Sequence, residues 1–266
     1  MKEQIRELMD FLDASKSVFH AVKYLCDLLD RNGYVHLDSG DDWELVPGGK
    51  YYVTRQAASL IAFRIPEGKP KGFMMSASHS DRPTFKIKEN GELENKYIRL
   101  ATERYGGMIM STWLDRPLSI AGRALVETEN GIESRLVSID RDLLMIPSVA
   151  IHMDRTVNDG KKWNPAVDLL PLLGGKDAAG KLEKLLEEAA GGKILGSDLY
   201  LTIRQKASVW GMDGEYISSA ALDDLECVWG CTRGFLAAQG SKAIDVLCVF
   251  DSEEVGSNSV QGAAST

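Results

Sequence analysis

The chain has 266 residues, of which 44% are hydrophobic and 26% charged, and its formal net charge is −8 at pH 7. This composition is typical of a globular protein with one large domain or two ordinary ones, and the acidic balance disfavours nonspecific nucleic-acid binding. No stretch of 18 apolar residues predicts a membrane-spanning helix. With four cysteines and a charged, helical start in place of a signal peptide, we expect reduced thiols and a cytoplasmic protein.

The first part of the chain predicts two helices followed by strands. One amphipathic pattern covers residues 3–13, and a second begins at Ser15 or Ser17 and stops at Gly33. Strand-like runs then lie between Pro–Gly turns, at residues 51–54, 60–65 and 73–78. Helices followed by strands favour an α/β layer structure.

The character of the sequence changes near residue 90. Short, glycine-rich strands are expected at 108–113, 118–126 and 133–139, then a polar helix at 177–190 and a strand at 199–203. A helix at 222–238 and an apolar strand at 243–251 return to the first pattern. We therefore predict an α/β domain formed by residues 1–89 and 204–266, interrupted by a β-rich domain at 90–203.

Two adjacent carboxylates follow the apolar strand at 243–251. Glu253 and Glu254 stand at its carboxyl end, which is the edge of an open α/β sheet where ligands bind. One such carboxylate can hold a cation while the other takes a proton from water. The alternative is a pair of solvated surface glutamates.

Two further segments carry side chains of the same kind. His79 follows the strand at 73–78, and Asp81, two residues on, is placed to accept a hydrogen bond from its ring. Asp223 and Asp224 open the helix at 222–238, where an aspartate can also be a simple N-cap. One histidine and several carboxylates from three segments suit zinc, cobalt or manganese.

Five sequence blocks give the chain a family resemblance along its whole length. It resembles the aspartyl aminopeptidases, which are dinuclear zinc metallopeptidases, in the blocks 76–83, 105–123, 146–152, 222–224 and 251–257 with 261–262. The block Trp113–Arg123 is long and unusual. The resemblance implies a mixed-sheet metallopeptidase domain with an inserted dimerisation domain.

The resemblance also implies roles for individual residues. His79 would be a ligand of one metal, Asp223 a ligand shared by two metals, and Glu254 a ligand of the second. Asp81 would orient His79, and Glu253 would be the general base. The peptide bond between Asp223 and the next aspartate would be cis.

The resemblance further implies peptide substrates with N-terminal Asp or Glu, and assembly into dimers and dodecamers. His152 matches a histidine that a neighbouring subunit delivers to the active site. Arg82 stands where the family often has a small or polar residue, so we expect it to bring positive charge and bulk beside the metals. No nucleic-acid or membrane partner is expected.

Length is the larger departure from the family. Family chains run well over a hundred residues further, and their last two metal ligands, an aspartate and a histidine, lie beyond the block at 261–262. We therefore expect a truncated chain. The alternatives are a non-catalytic homologue with an incomplete metal site that acts in assembly or binding, and a related aminopeptidase with another side-chain preference.

Overall fold

The structure is a computed structural model that describes residues 2–240 and 242–265. Its α-helices are α1 (Glu3–Ala14), α2 (Val18–Arg31), α3 (Pro165–Asp168), α4 (Lys181–Ala190) and α5 (Leu222–Ala237). Its strands are β1 (Val35–His36), β2 (Lys50–Arg55), β3 (Ser59–Arg64), β4 (Phe73–His79), β5 (Thr84–Glu94), β6 (Tyr97–Tyr105), β7 (Leu118–Thr128), β8 (Gly131–Ser138), β9 (Leu172–Gly175), β10 (Ile194–Ile203), β11 (Ser208–Trp210), β12 (Tyr216–Ser218) and β13 (Ile244–Phe250). The fold is mixed α/β, as the sequence predicted. Every helix in the described part of the chain is too short or too polar to cross a bilayer.

The chain divides into two compact units. The first runs up to Arg82 and resumes at Lys206, and the second is Pro83–Gln205. The second unit thus begins seven residues before the position 90 that the sequence indicated and ends two residues after position 203. The assignment of these units as a metallopeptidase domain and a dimerisation domain stays a prediction.

The first unit contains a five-stranded sheet with the order β1-β2-β3-β13-β4. Strand β13 pairs antiparallel with β3 and parallel with β4. Its residues Leu247 and Val249 are buried in a core that α1, α2 and α5 share, which includes Phe11, Leu25 and Trp229. The apolar run that predicted a central strand is therefore buried between two neighbouring strands and under helices.

The parallel pairing brings two chemically important segments to one edge of this sheet. In the β4–β13 register, His79 lies opposite Phe250, and the backbone N–H of Ser80 donates to the carbonyl oxygen of Phe250 at 2.9 Å. Glu253 follows three residues after Phe250 in a short 3-10 turn, Glu253–Val255. The carboxyl ends of both strands thus meet, as in other open α/β sheets.

The second unit is built on a six-stranded sheet with the order β8-β7-β10-β5-β6-β9. All five pairings between neighbouring strands are antiparallel. Arg123 on β7 and Lys86 on β5 both bind the carboxylate of Asp198 on β10, at 3.0 and 2.8 Å. Within this unit Arg123 is a structural salt-bridge residue.

Two sequence predictions for the second unit were wrong in detail. The expected strand at 108–113 is a loop followed by the 3-10 helix Met110–Trp113, where the buried Trp113 packs edge-on against Phe85 at 5.2 Å between ring centroids. The expected helix at 177–190 begins only at Lys181, because Gly180 adopts a left-handed conformation (φ 67°).

Candidate metal centre

The imidazole of His79 lies at the centre of an acidic cluster in the first unit. Its Nε2 atom is 3.4 Å from Asp223 Oδ1, 3.9 Å from Asp224 Oδ2 and 3.8 Å from Glu253 Oε2. These side chains come from β4, the start of α5 and the turn after β13. Three segments far apart in sequence therefore place one ring nitrogen among three carboxylates.

The other nitrogen of the same ring is held by Asp81. His79 Nδ1 lies 3.2 Å from Asp81 Oδ1, and the Asp81 side chain is only 3% exposed. The Asp81 carboxylate also accepts the backbone N–H groups of Glu253 and Glu254, at 3.2 and 3.1 Å. Asp81 therefore fixes the ring with Nδ1–H as the donor, leaves Nε2 free to bind a cation, and joins the ring to the glutamate turn.

The electrostatics of the cluster favour positive charge at the ring. Burial alone would lower the pKa of His79, but the hydrogen bond that its ring donates to Asp81 and the negative charges of Asp81, Asp224 and Glu253 outweigh burial and raise the pKa to about 9. The same field that stabilises a proton on Nε2 stabilises a metal cation in its place.

The two aspartates at the start of α5 differ in their surroundings. The peptide bond between them is cis, as the family resemblance implied, and both have non-helical backbone angles. Asp224 Oδ2 accepts the backbone N–H of His79 at 3.1 Å, and the Asp224 carboxylate also hydrogen-bonds the thiol of Cys227, which raises the pKa of that thiol to about 11. The Asp223 side chain is 87% exposed. Asp224 is thus held by the protein, whereas Asp223 can turn to a ligand.

The donor set fits a zinc ion. One ligand atom each from His79, Asp223 and Asp224 lies within 4.8 Å of the others. Zinc with nitrogen and oxygen ligands at about 2.0–2.2 Å in tetrahedral geometry places those atoms about 3.3 Å apart, close to the 3.4 Å between His79 Nε2 and Asp223 Oδ1. Asp224 is the member of this group to which the sequence assigned no role of its own.

Glu254, the expected ligand of a second metal, lies near this group but is not part of it. Burial raises the pKa of its carboxyl, and the charges of Asp81, Glu253 and Asp223 raise it further against the opposing effect of His79. A nearby cation would stabilise the ionised form of a half-buried carboxyl whose neighbours are mostly acidic. The sequence predicted its position at the strand end.

Residues 11–266 match the model of the family described as "Aminopeptidase I zinc metalloprotease (M18)". The chain belongs to the M18 family. Zinc is the metal named in the description of this family, in agreement with the donor set of the cluster.

Individual M18 proteins are similar over nearly the entire chain. The probable M18 family aminopeptidase 2 of Clostridium acetobutylicum is 42% identical, in a match that covers 99% of this chain and 64% of that protein. The structure of Chaetomium thermophilum mApe1 is 31% identical with a TM-score of 0.91, covering 98% of this chain and 65% of that one. The S. cerevisiae mApe1 dodecamer is 25% identical with a TM-score of 0.85, covering 98% and 63%. This chain thus spans about 64% of the length of its M18 relative from Clostridium.

Two further residues of the M18 resemblance have surroundings of their own. His152 is an exposed residue of a turn in the second unit. Arg82 has a contact that the sequence did not indicate: its guanidinium donates hydrogen bonds to the carbonyl oxygens of Ser15, at 2.5 Å, and of Lys16. The sequence predicted that Arg82 would bring bulk and positive charge beside the metals. In the structure its guanidinium binds the end of α1.

Proposed function

We propose that this M18 chain is the metal-binding part of an aminopeptidase, which releases the N-terminal residue of a peptide with two zinc ions as cofactors. The proposal rests on the different surroundings of the two ring nitrogens of His79. Its Nε2 faces three carboxylates within 3.9 Å, while its Nδ1 is held by Asp81 at 3.2 Å. A buried carboxylate that orients one histidine is typical of a metal site. A solvated cluster of acidic surface residues has no use for such an arrangement.

Five residues at the site have proposed roles. His79 would hold one zinc ion, Glu254 would hold the second, and Asp223 would be the ligand that both share. Asp81 keeps the ring of His79 in the tautomer that binds metal through Nε2. The short distance between His79 and Asp223 and the acidic surroundings of Glu254 support these assignments.

Glu253 is the proposed general base. When bound, the zinc ions would supply Lewis acidity to the scissile carbonyl and lower the pKa of the attacking water. The exposed carboxylate of Glu253, whose Oε2 lies 3.8 Å from His79 Nε2, accepts the proton of that water and passes it to the leaving amine. The backbone N–H of Glu253 donates to Asp81, so the turn that carries this carboxylate is tied to the residue that orients His79.

The finer parts of the proposal rest on the sequence resemblance. We propose N-terminal Asp or Glu as the preferred substrate residue, homo-oligomers as the assembled form, and His152 of a neighbouring subunit as a group near the reacting carbonyl. The dodecamer of S. cerevisiae mApe1 supports the oligomer. A further aspartate and histidine as metal ligands, a truncated chain and a cytoplasmic location stay predictions.

Replacing the base tests the mechanism. Glu253→Gln should retain the zinc content of the wild type, because Gln keeps the shape of the side chain, and should lose at least about a hundredfold in turnover, the range of a general base. Zinc is measured by mass spectrometry after gel filtration, and turnover with Asp-, Glu- and Leu-peptides. The matched control His79→Ala should lose zinc as well as turnover.

The results separate the candidate functions. Activity of Glu253→Gln above a hundredth of the wild type refutes the assignment of the base. A wild-type chain with zinc that hydrolyses the Leu-peptide best is an aminopeptidase of another preference. A chain that holds one zinc ion or none and hydrolyses no peptide supports the second candidate function, which is a non-catalytic protein that acts in assembly. The exposed apolar residues Phe73, Met74 and Met75 of β4 favour this candidate.

A further inference from the structure

A second concave site lies in the first unit, at the end of the sheet away from the metal centre. It is a cavity of about 630 Å³ between the start of β2, the end of β3, the loop 65–71 and the residues before β13. Lys71 lies just before β4, whereas His79 ends that strand, so the length of β4 separates the two sites by roughly 20 Å. A volume of this size is in the range of small-molecule sites.

The charge of the cavity is opposite to that of the whole chain. Its lining has five cationic side chains and two carboxylates, in a chain with a net charge of −8: Lys50, Arg64, Lys69, Lys71 and Lys242 against Glu67 and Asp245. Positive charge that is concentrated in a concavity focuses the field and raises the local concentration of anions.

Two of the cations form a fixed part of the wall. Arg64 binds the Asp245 carboxylate and the carbonyl oxygen of Ala238, both at 2.7 Å. Lys50 lies 3.4 Å from the carbonyl oxygen of Asn32. The charge of Arg64 is thus largely balanced inside the protein, and its position does not depend on a ligand.

The other three cations are not neutralised. The ammonium groups of Lys69, Lys71 and Lys242 have no hydrogen bond or ion pair with any of residues 2–240 and 242–265. The backbone N–H of Lys71 donates to the carbonyl oxygen of Lys242 at 2.9 Å, so two of the lysines start from adjacent backbone positions. Mutual repulsion of close ammonium groups is relieved when an anion with several charges lies between them.

We propose that this cavity binds a small multivalent anion, with phosphate or carboxylate groups, through Lys69, Lys71 and Lys242. Glu67 is the carboxylate of the lining that faces such an anion unfavourably, since Asp245 is occupied by Arg64. The site is independent of the metal centre, because it shares no residue with the acidic cluster.

The test is calorimetric titration of the chain with inorganic triphosphate and, separately, with benzene-1,3,5-tricarboxylate at low ionic strength. We expect saturable binding of one anion per chain. The triple variant Lys69→Gln, Lys71→Gln, Lys242→Gln should bind at least about tenfold more weakly, from three lost charge contacts of the exposed type. Glu67→Gln should bind more tightly than the wild type, because it removes a repulsive charge.

A matched control has the same change of net charge elsewhere. Lys162→Gln, Lys181→Gln, Lys184→Gln alters three exposed lysines of the second unit and should bind as the wild type does. Both probes can chelate zinc, but the metal centre is intact in every variant, so the difference between wild type and variants reports the cavity. Tighter binding of triphosphate assigns phosphate groups to the ligand, and tighter binding of the tricarboxylate assigns carboxylates. Equal losses in the two triple variants, or no saturable binding by the wild type, overturn the proposal.

Discussion

Arg82 shows how one side chain can fix a motif without belonging to its chemistry. It follows His79 and Asp81 directly, and burial lowers the pKa of its guanidinium to about 10, so the group stays charged at pH 7. Its two hydrogen bonds go to the carbonyls of Ser15 and Lys16, where the helix dipole of α1 has its negative end. The motif is therefore tied to α1 on one side and, through Asp81, to the glutamate turn on the other.

Removing the Arg82 guanidinium should cost stability. Arg82→Met leaves both carbonyls without a charged donor, and we expect the free energy of unfolding to fall by about 2–3 kcal/mol, as for hydrogen bonds of charged groups. Arg82→Lys keeps the charge but not the planar fork, so its loss should be smaller. Urea unfolding of both variants measures the difference. If Arg82→Met unfolds within about 0.5 kcal/mol of the wild type, the hydrogen bonds contribute no net stability.

The sequence predicted most elements of the first unit, because their signals are local. Helix α2 begins and ends within a few residues of its expected limits, and Gly33 adopts the left-handed conformation that ends it (φ 77°). The apolar run of β13 predicted a central strand, and the carboxylates after it follow directly from the end of that strand. The candidate site could be predicted because each of its residues stands at the end or start of such an element.

The remaining features depend on contacts between distant residues. The hydrogen bonds of Arg82 to Ser15 and Lys16 join positions 66 or more apart, and no local pattern indicates them. Asp224 is joined to the site by its bond to the backbone of His79, which lies 145 positions away in sequence. The strand expected at 108–113 failed because burial of Trp113 against Phe85 outweighed a strand-like composition.

Two strands of the second unit, β7 and β10, approach each other closely at a glycine. A Cβ added to Gly122 on β7 would lie 2.0 Å from the carbonyl oxygen of Asp198 on β10, and this neighbour is backbone that cannot turn away. Gly122→Ala should therefore separate the two strands and lower the free energy of unfolding by about 1–3 kcal/mol, as for overpacking. The change is measured by thermal unfolding followed by circular dichroism.

A helical glycine supplies the control. Gly230 lies inside α5, where a Cβ would meet no atom within 4 Å among the described residues. Gly230→Ala should raise the free energy of unfolding by about 0.5–1 kcal/mol, because alanine loses less backbone entropy in a helix. Equal effects of the two substitutions would show that the close approach of β7 and β10 can relax.

At the scale of the whole molecule, the outer strand β4 of the first sheet carries exposed apolar side chains. Phe73 and Met75 on β4 are 67% and 68% exposed, and their partners in the register, Ile244 and Val246, lie on the face opposite to Leu247 and its helices. Strand β4 is also the last strand of its sheet. Sheets of α/β proteins bury both faces, and an apolar edge strand is a template for pairing with another chain.

The chain should therefore self-associate through the exposed apolar side chains of β4. Phe73→Thr with Met75→Thr places β-branched residues, which suit a strand, and removes the apolar surface, so we expect a larger monomer fraction in sedimentation velocity at the same concentration. Met212→Thr is the control, because Met212 is 98% exposed on the turn between β11 and β12, away from any strand edge. A control variant that dissociates as much as the double variant would mean that general surface hydrophobicity, rather than the edge at β4, holds the molecules together. An unchanged distribution for the double variant would place self-association on another surface.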